Sequence, residues 1–139
     1  MTASQDRSAA ERIERLESEI EDLKAAMAEG VSTRRVRLVD ADGEARAVLE
    51  ADKDGPTIVL HDTVGTVRMR LALGSAGPGL TLSDEDGHTR AWLGFSNEAL
   101  RIGFADDKGN SRAFFGVMRS GNPVARFYDA EGKVVWSAE

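Results

Sequence analysis

Asp-x-x-Gly recurs five times along the chain, as Asp40/Gly43, Asp62/Gly65, Asp84/Gly87, Asp106/Gly109 and Asp129/Gly132, with successive aspartates 22, 22, 22 and 23 residues apart. A period that regular means one small unit copied along an axis. Each copy leans on the next, because so short a segment carries too little apolar surface to fold alone. The pattern points to a structural or binding role ahead of a catalytic one.

On both sides of each Asp-x-x-Gly element the apolar residues run with a period of two. Four and two residues before the aspartate stand Val36 and Leu38, Ile58 and Leu60, Leu80 and Leu82, Ile102 and Phe104, and Ala125 and Phe127. Two, four and six residues after the glycine stand Ala45, Ala47 and Leu49; Val67, Met69 and Leu71; Thr89, Ala91 and Leu93; Ser111, Ala113 and Phe115. Both arms read as strands with one apolar face. If Asp and Gly close a two-residue hairpin, Leu38 faces Ala45 and Val36 faces Ala47, which puts both apolar sets on the same side. Aspartate at the start of such a turn accepts from backbone N–H groups and glycine at its end adopts positive φ. Second turn signals separate the hairpins: Gly55-Pro56, Gly77-Pro78, Ser96-Asn97 and Gly121-Asn122-Pro123. The expected fold is therefore mainly β, with five tandem β-hairpin repeats of about 22 residues in an antiparallel meander of about ten strands.

Arginine follows the glycine by three as Arg46, Arg68, Arg90 and Arg112, whereas Val135 takes that place in the fifth repeat, as suits a terminal cap. Such a ladder either binds a repetitive anion or pairs with acids and carbonyls of a neighbouring strand or chain. The second is expected, since the net charge of −6 opposes polyanion binding. Val48, Arg70, Trp92 and Phe114 share the face opposite the aliphatic stripe, where aromatics serve packing more often than ligand binding.

Ahead of the repeats, Ile13, Leu16, Ile20, Leu23 and Met27 alternate by three and four, the a/d seam of a coiled coil, and Gly30 stops the helix. So narrow a stripe suits a partner helix better than a globular core. With Ile13 at a, Arg12 and Glu19 occupy g while Glu17 and Lys24 occupy the e positions that follow, so both interhelical pairs of a parallel coil are opposite in charge. The segment Arg12-Ile13-Glu14-Arg15-Leu16-Glu17 resembles the R-h-x-x-h-E motif of short parallel trimeric coiled coils. That resemblance implies Arg12 packing over the core and pairing with Glu17 of a neighbour. Ile at a with Leu at d also suits dimers, so a homotrimer is expected and a dimer is the second choice. The organisation reads as a disordered terminus (1–7), a parallel coiled-coil helix (8–30), a linker (31–35) and the β-hairpin domain (36–139).

Residues 1–30 hold eight acids against four bases, which makes nucleic acid and anionic membrane poor partners. There is no cysteine, hence neither a disulfide framework nor a thiolate site. No secretory core or long apolar run is present, so the expected address is cytoplasmic, with incorporation into a phage-like or surface assembly left open. The acid-rich turns at 40–43, 52–55, 84–87 and 106–109 lack the bidentate glutamate and flanking helices of an EF-hand, and no metal ligand or cofactor is assigned. His61 and His88 fall at different points of the repeat, with solvent-facing positions expected. Ser75, Ser83 and Ser120 sit in no nucleophile elbow, and Gly74, Gly77 and Gly79 lack the lysine of a phosphate loop, so no enzymatic activity is expected.

A lone sheet with one apolar face requires a second layer. The favoured solution is a homotrimeric β-prism or shaft whose shared core is made by Leu38, Leu60, Leu82, Phe104 and Phe127. In plan it resembles trimeric fibre and stalk proteins, such as phage tail fibres and trimeric adhesins, that join coiled coil to β-repeats. That implies a fibre, scaffold or spacer whose main partner is itself. The alternative is a small-molecule or glycan-binding module, built as a closed ten-stranded barrel or a lectin-like trimeric head, with an unknown protein or glycan as partner. The coil yields the first prediction. Ile20→Asp places a charge in the seam and should shift the assembly towards monomer in light scattering; an unchanged mass would remove the coil from the account.

Overall fold

The computed structural model describes residues 3–75, 77–96 and 99–138. By contacts the chain divides into two units, Met1–Thr33 and Arg34–Glu139. In the first, helix α1 runs Ala3–Ala28, beginning ahead of the apolar seam, and the chain leaves it through Gly30 at φ 115°. Ile13, Leu16, Ile20, Leu23 and Met27 are all exposed in the single chain. Arg15 and Glu19 form an exposed ion pair one turn apart at 3.7 Å.

The second unit is a ten-stranded sheet: β1 (Arg35–Val39), β2 (Ala45–Asp52), β3 (Gly55–His61), β4 (Val67–Gly74), β5 (Gly77–Ser83), β6 (Thr89–Ser96), β7 (Ala99–Ala105), β8 (Ser111–Met118), β9 (Pro123–Tyr128) and β10 (Val134–Ala138). Strands lie in chain order and pair antiparallel throughout, a meander without crossovers. β1 and β10 stand at the two edges, so the sheet is open and not the closed barrel considered above.

The expected turn geometry requires correction. Each Asp-x-x-Gly element closes a three-residue loop, in which the Gly43 N–H donates to the Asp40 carbonyl and the Asp40 N–H to the Glu44 carbonyl. Gly43 sits at φ 84°, a left-handed conformation costly for any residue with a side chain. Leu38 then pairs with Ala47 and Val36 with Leu49, not with Ala45 and Ala47, while Ala45 pairs with Val39. Between them Arg46 has no partner in the ladder: it is the extra residue of a β-bulge. Arg68, Arg90 and Arg112 are bypassed in the same way in β4, β6 and β8, and Val135 in β10. A two-residue loop joins β2 to β3, where Asp52 pairs with Gly55. The Asn97 of the expected Ser96-Asn97 turn lies outside the described residues.

Because the bulge recurs at one level of every hairpin, the apolar residues beyond it, such as Leu38 with Ala47 and Val36 with Leu49, share one side of the sheet, whereas Ala45, Val67, Thr89 and Ser111, expected on that side, pair with Val39, His61, Ser83 and Ala105 of the other alternation. The opposite side carries a row through Arg37, Val48, Val59, Arg70, Thr81, Trp92, Gly103, Phe114 and Arg126. The Trp92 indole lies over Gly103, and a Cβ built there would sit 2.0 Å from the ring. The Arg101 and Arg126 guanidinium carbons lie 5.9 and 5.8 Å from the centre of the Phe114 ring, within the range of cation–π attraction. Gly103→Ala should therefore expel Trp92 from its seat, costing about 1–3 kcal/mol as overpacking does. In a Trp136→Phe background, denaturant unfolding should show the loss and Trp92 emission should shift to the red; an unmoved spectrum would contradict the packing described.

Candidate functional site

Of the apolar side chains described, Val48, Ala113 and Val124 alone are buried, at 8%, 8% and 6% exposure. The sheet has almost no core of its own. On its apolar side, cross-strand pairing aligns one row through Val36, Leu49, Ile58, Leu71, Leu80, Leu93, Ile102, Phe115 and Ala125. A second row runs through Leu38, Ala47, Leu60, Met69, Leu82, Ala91, Phe104, Ala113, Phe127 and Trp136. The five sequence-assigned residues Leu38, Leu60, Leu82, Phe104 and Phe127 thus fall in one line across the sheet, at 62%, 37%, 43%, 43% and 39% exposure. The helix residues Arg12, Ile13, Leu16, Glu17, Ile20, Leu23 and Met27 belong to the other unit.

A third apolar row escaped the sequence reading. It pairs Ala51 with Pro56, Leu73 with Pro78, Phe95 with Leu100 and Val117 with Pro123 near the far ends of the hairpins. Its signal was present eight residues after each repeat glycine and six before the next aspartate, where proline and glycine had drawn attention to the turns alone. Shallow apolar hollows open between the rows, one lined by Leu71, Leu80, Leu93, Phe95 and Leu100 and another by Leu49, Ile58, Leu71, Leu73 and Pro78. Phe104, Phe115, Phe127 and Trp136 form a chain of edge-on ring contacts with centres 6.5, 5.7 and 5.4 Å apart.

The arginine ladder has the structural role expected of it. Arg68 takes the Asp62 carboxylate of its own turn at 3.3 Å and donates from Nε to the Ser83 carbonyl of the next hairpin at 3.0 Å. Arg90 repeats the pattern with Asp84 at 3.4 Å and the Ala105 carbonyl at 3.0 Å. Arg46 joins Asp40 to the Asp62 carbonyl, and Arg112 joins Asp106 to the Asp129 carbonyl. Four arginines thereby staple five hairpins, and Val135 takes the arginine's place in the fifth. The bulge is what frees each arginine from the ladder so that it can span two repeats.

Each turn carboxylate is also held by the backbone. In the second repeat, Asp62 Oδ1 accepts from the N–H groups of Val64 at 3.0 Å and Thr66 at 2.9 Å. Partial desolvation pulls the pKa of such a carboxyl upward, but these N–H groups and the arginine outweigh it, so Asp40, Asp62 and Asp84 all lie below the usual carboxylate value. Asp106, which also accepts from the Asn110 amide, falls to about 2.

Asp84, Asp86 and His88 bring three potential metal-ligating atoms within 4.8 Å of one another. Asp84 already accepts from the N–H groups of Asp86 and His88 and from Arg90, so the cluster is the turn's own hydrogen bonding. His88 is exposed as expected, whereas His61 is half-buried and its Nδ1 meets no partner among the described residues. None of the described helices is long and apolar enough to cross a membrane. No protein-family model matches the chain, and no curated protein is significantly similar to it.

The depressed carboxylates set a pH dependence. Their folded pKa values lie below the unfolded value near 3.8, so the stability they contribute is complete above about pH 4 and is lost as pH falls towards about 2. Urea midpoints should drop across that window, and Asp84→Asn combined with Asp106→Asn, which keeps the turn acceptors but removes the charges, should flatten the drop. An acid limb identical to that of the parent would contradict the assignment.

Proposed function

We propose that this chain is the subunit of a structural homo-oligomer, a trimer in the first instance, that serves as a fibre, scaffold or spacer without catalytic activity. One observation carries the reading: an open sheet whose apolar side lies largely exposed, with Ala113 its one buried member among the described residues. Nine strand spacings of about 4.8 Å and a strand length of about 17 Å give that side an area on the order of 700 Å². Monomers seldom expose contiguous apolar patches beyond about 300–600 Å², and a stable interface takes about 800 Å² from each partner.

A second copy is the fitting occupant for two reasons. The patch carries no charge with which to select a polar partner, and the same chain presents a second unpartnered apolar stripe on α1. That stripe bears its own complementary charges at Arg12, Glu17, Glu19 and Lys24. A short coil and an apolar sheet face reinforce one another, since association through either raises the effective concentration of the other. Trp92 and the arginines, the residues a glycan or anion site would have used, are engaged on Gly103 and on the hairpin turns.

Light scattering should return three chain masses at micromolar concentration, and a single chain mass would refute the proposal. Leu82→Asp, which puts a carboxylate into the second row, should raise the dissociation constant at least about tenfold.

A further inference from the structure

We infer that the copies join face to face and point the same way, every β1 level with its counterparts and every β10 level with its own, with no sheet continued edge to edge; this rests on the homo-oligomer proposed above.

The edges argue first. At four places a hairpin is locked to the next by an arginine that reaches a carbonyl of the following repeat: Asp62, Ser83, Ala105 or Asp129. β10 carries Val135 at that position, so a strand of another copy laid against it would meet no such donor. β1, at the other edge, alternates Val36 and Leu38 with Arg35 and Arg37, and charge on an edge strand opposes pairing with a further strand. The staple that joins the sheet's hairpins is thus missing at β10. What is left to join is the apolar side.

Direction follows from the helix and its tether. In a parallel coil, Arg12 meets Glu17 and Glu19 meets Lys24 of the neighbouring helix in one register. An antiparallel pair would set Arg12 against Glu19 and Glu17 against Lys24, but these two matches need different registers and cannot coexist. Parallel helices bring the C-terminal ends of the copies' α1 segments together. Residues 29–34 then separate α1 from β1, a tether of at most about 20 Å. Opposed sheets would part the β1 strands of two copies by about 43 Å, the sheet's full width, and would need both tethers near full stretch. Sheets that run the same way leave both slack.

The chain has no cysteine, so spin labels can be placed one at a time. Ala41→Cys marks the first repeat turn and Glu131→Cys the last, both exposed and outside the strands. These turns are eight strand spacings apart, about 38 Å. Pulsed dipolar spectroscopy of each labelled variant should give same-site distances that are short and nearly equal, and mixed assemblies should give a cross-site distance of at least about 38 Å. A full oligomer mass with a short cross-site distance and a long same-site distance would overturn the shared direction while leaving the homo-oligomer standing. A single chain mass for the labelled and unlabelled protein alike would overturn both.

Discussion

A sheet one layer thick has two faces, and the side chains of this chain suffice to cover one of them. On the side opposite the apolar rows, Trp92 fills the space above Gly103, the guanidinium groups of Arg101 and Arg126 lie over Phe114, and Val48 and Val124 are buried. On the other side, leucine, isoleucine and phenylalanine stand in rows, and all but the half-buried Leu80 keep a third or more of their surface in water. The hydrophobic effect gives roughly 25 cal/mol for each Å² removed from water, so that side is where most unclaimed free energy of this molecule lies. Its coverage is the condition on which the proposed role depends.

Until that face is covered, the sheet is held by local chemistry. Each hairpin pairs only with its neighbours in sequence, and each turn is tied by an aspartate that accepts from two backbone N–H groups and, in the first four repeats, from an arginine. The arginine passes the connection to the next repeat. Such a chain of near-neighbour links resembles a solenoid in its energetics: every unit depends on those beside it, and the ends differ from the middle. The replacement of arginine by Val135 sets the fifth hairpin apart from the four before it. Acidic pH weakens the same links from the turn outward, because the carboxylates that anchor them are stabilised in their charged form.

Much of this was legible in the sequence. The alternation of apolar residues around Leu38, Leu60, Leu82, Phe104 and Phe127 and the antiparallel meander it implies reappear in the strand pairing. The register did not, because the two-residue reading of the hairpin has no room for Arg46 to leave the ladder. An arginine three residues after four of the five repeat glycines is the available sign of a bulge, one that charge alone does not reveal. The row through Pro56, Leu73, Pro78, Phe95 and Leu100 was missed for a related reason: Gly-Pro pairs announce a turn, and the apolar residues beside them were credited to it. His61 was expected in solvent, yet its place at the end of β3 leaves Nδ1 buried. A single strand's alternation does not disclose what its neighbours' side chains will cover.

The central claim, that sister copies cover the rows, is tested most directly by carbene footprinting of the protein at working concentration and again after dilution. The account predicts that Leu60, Phe104 and Phe127 resist labelling in the concentrated sample and gain it on dilution, while Arg37 and Arg70 on the opposite side change little. Equal and heavy labelling of the three apolar residues at every concentration would show the face open to water, and would contradict the account.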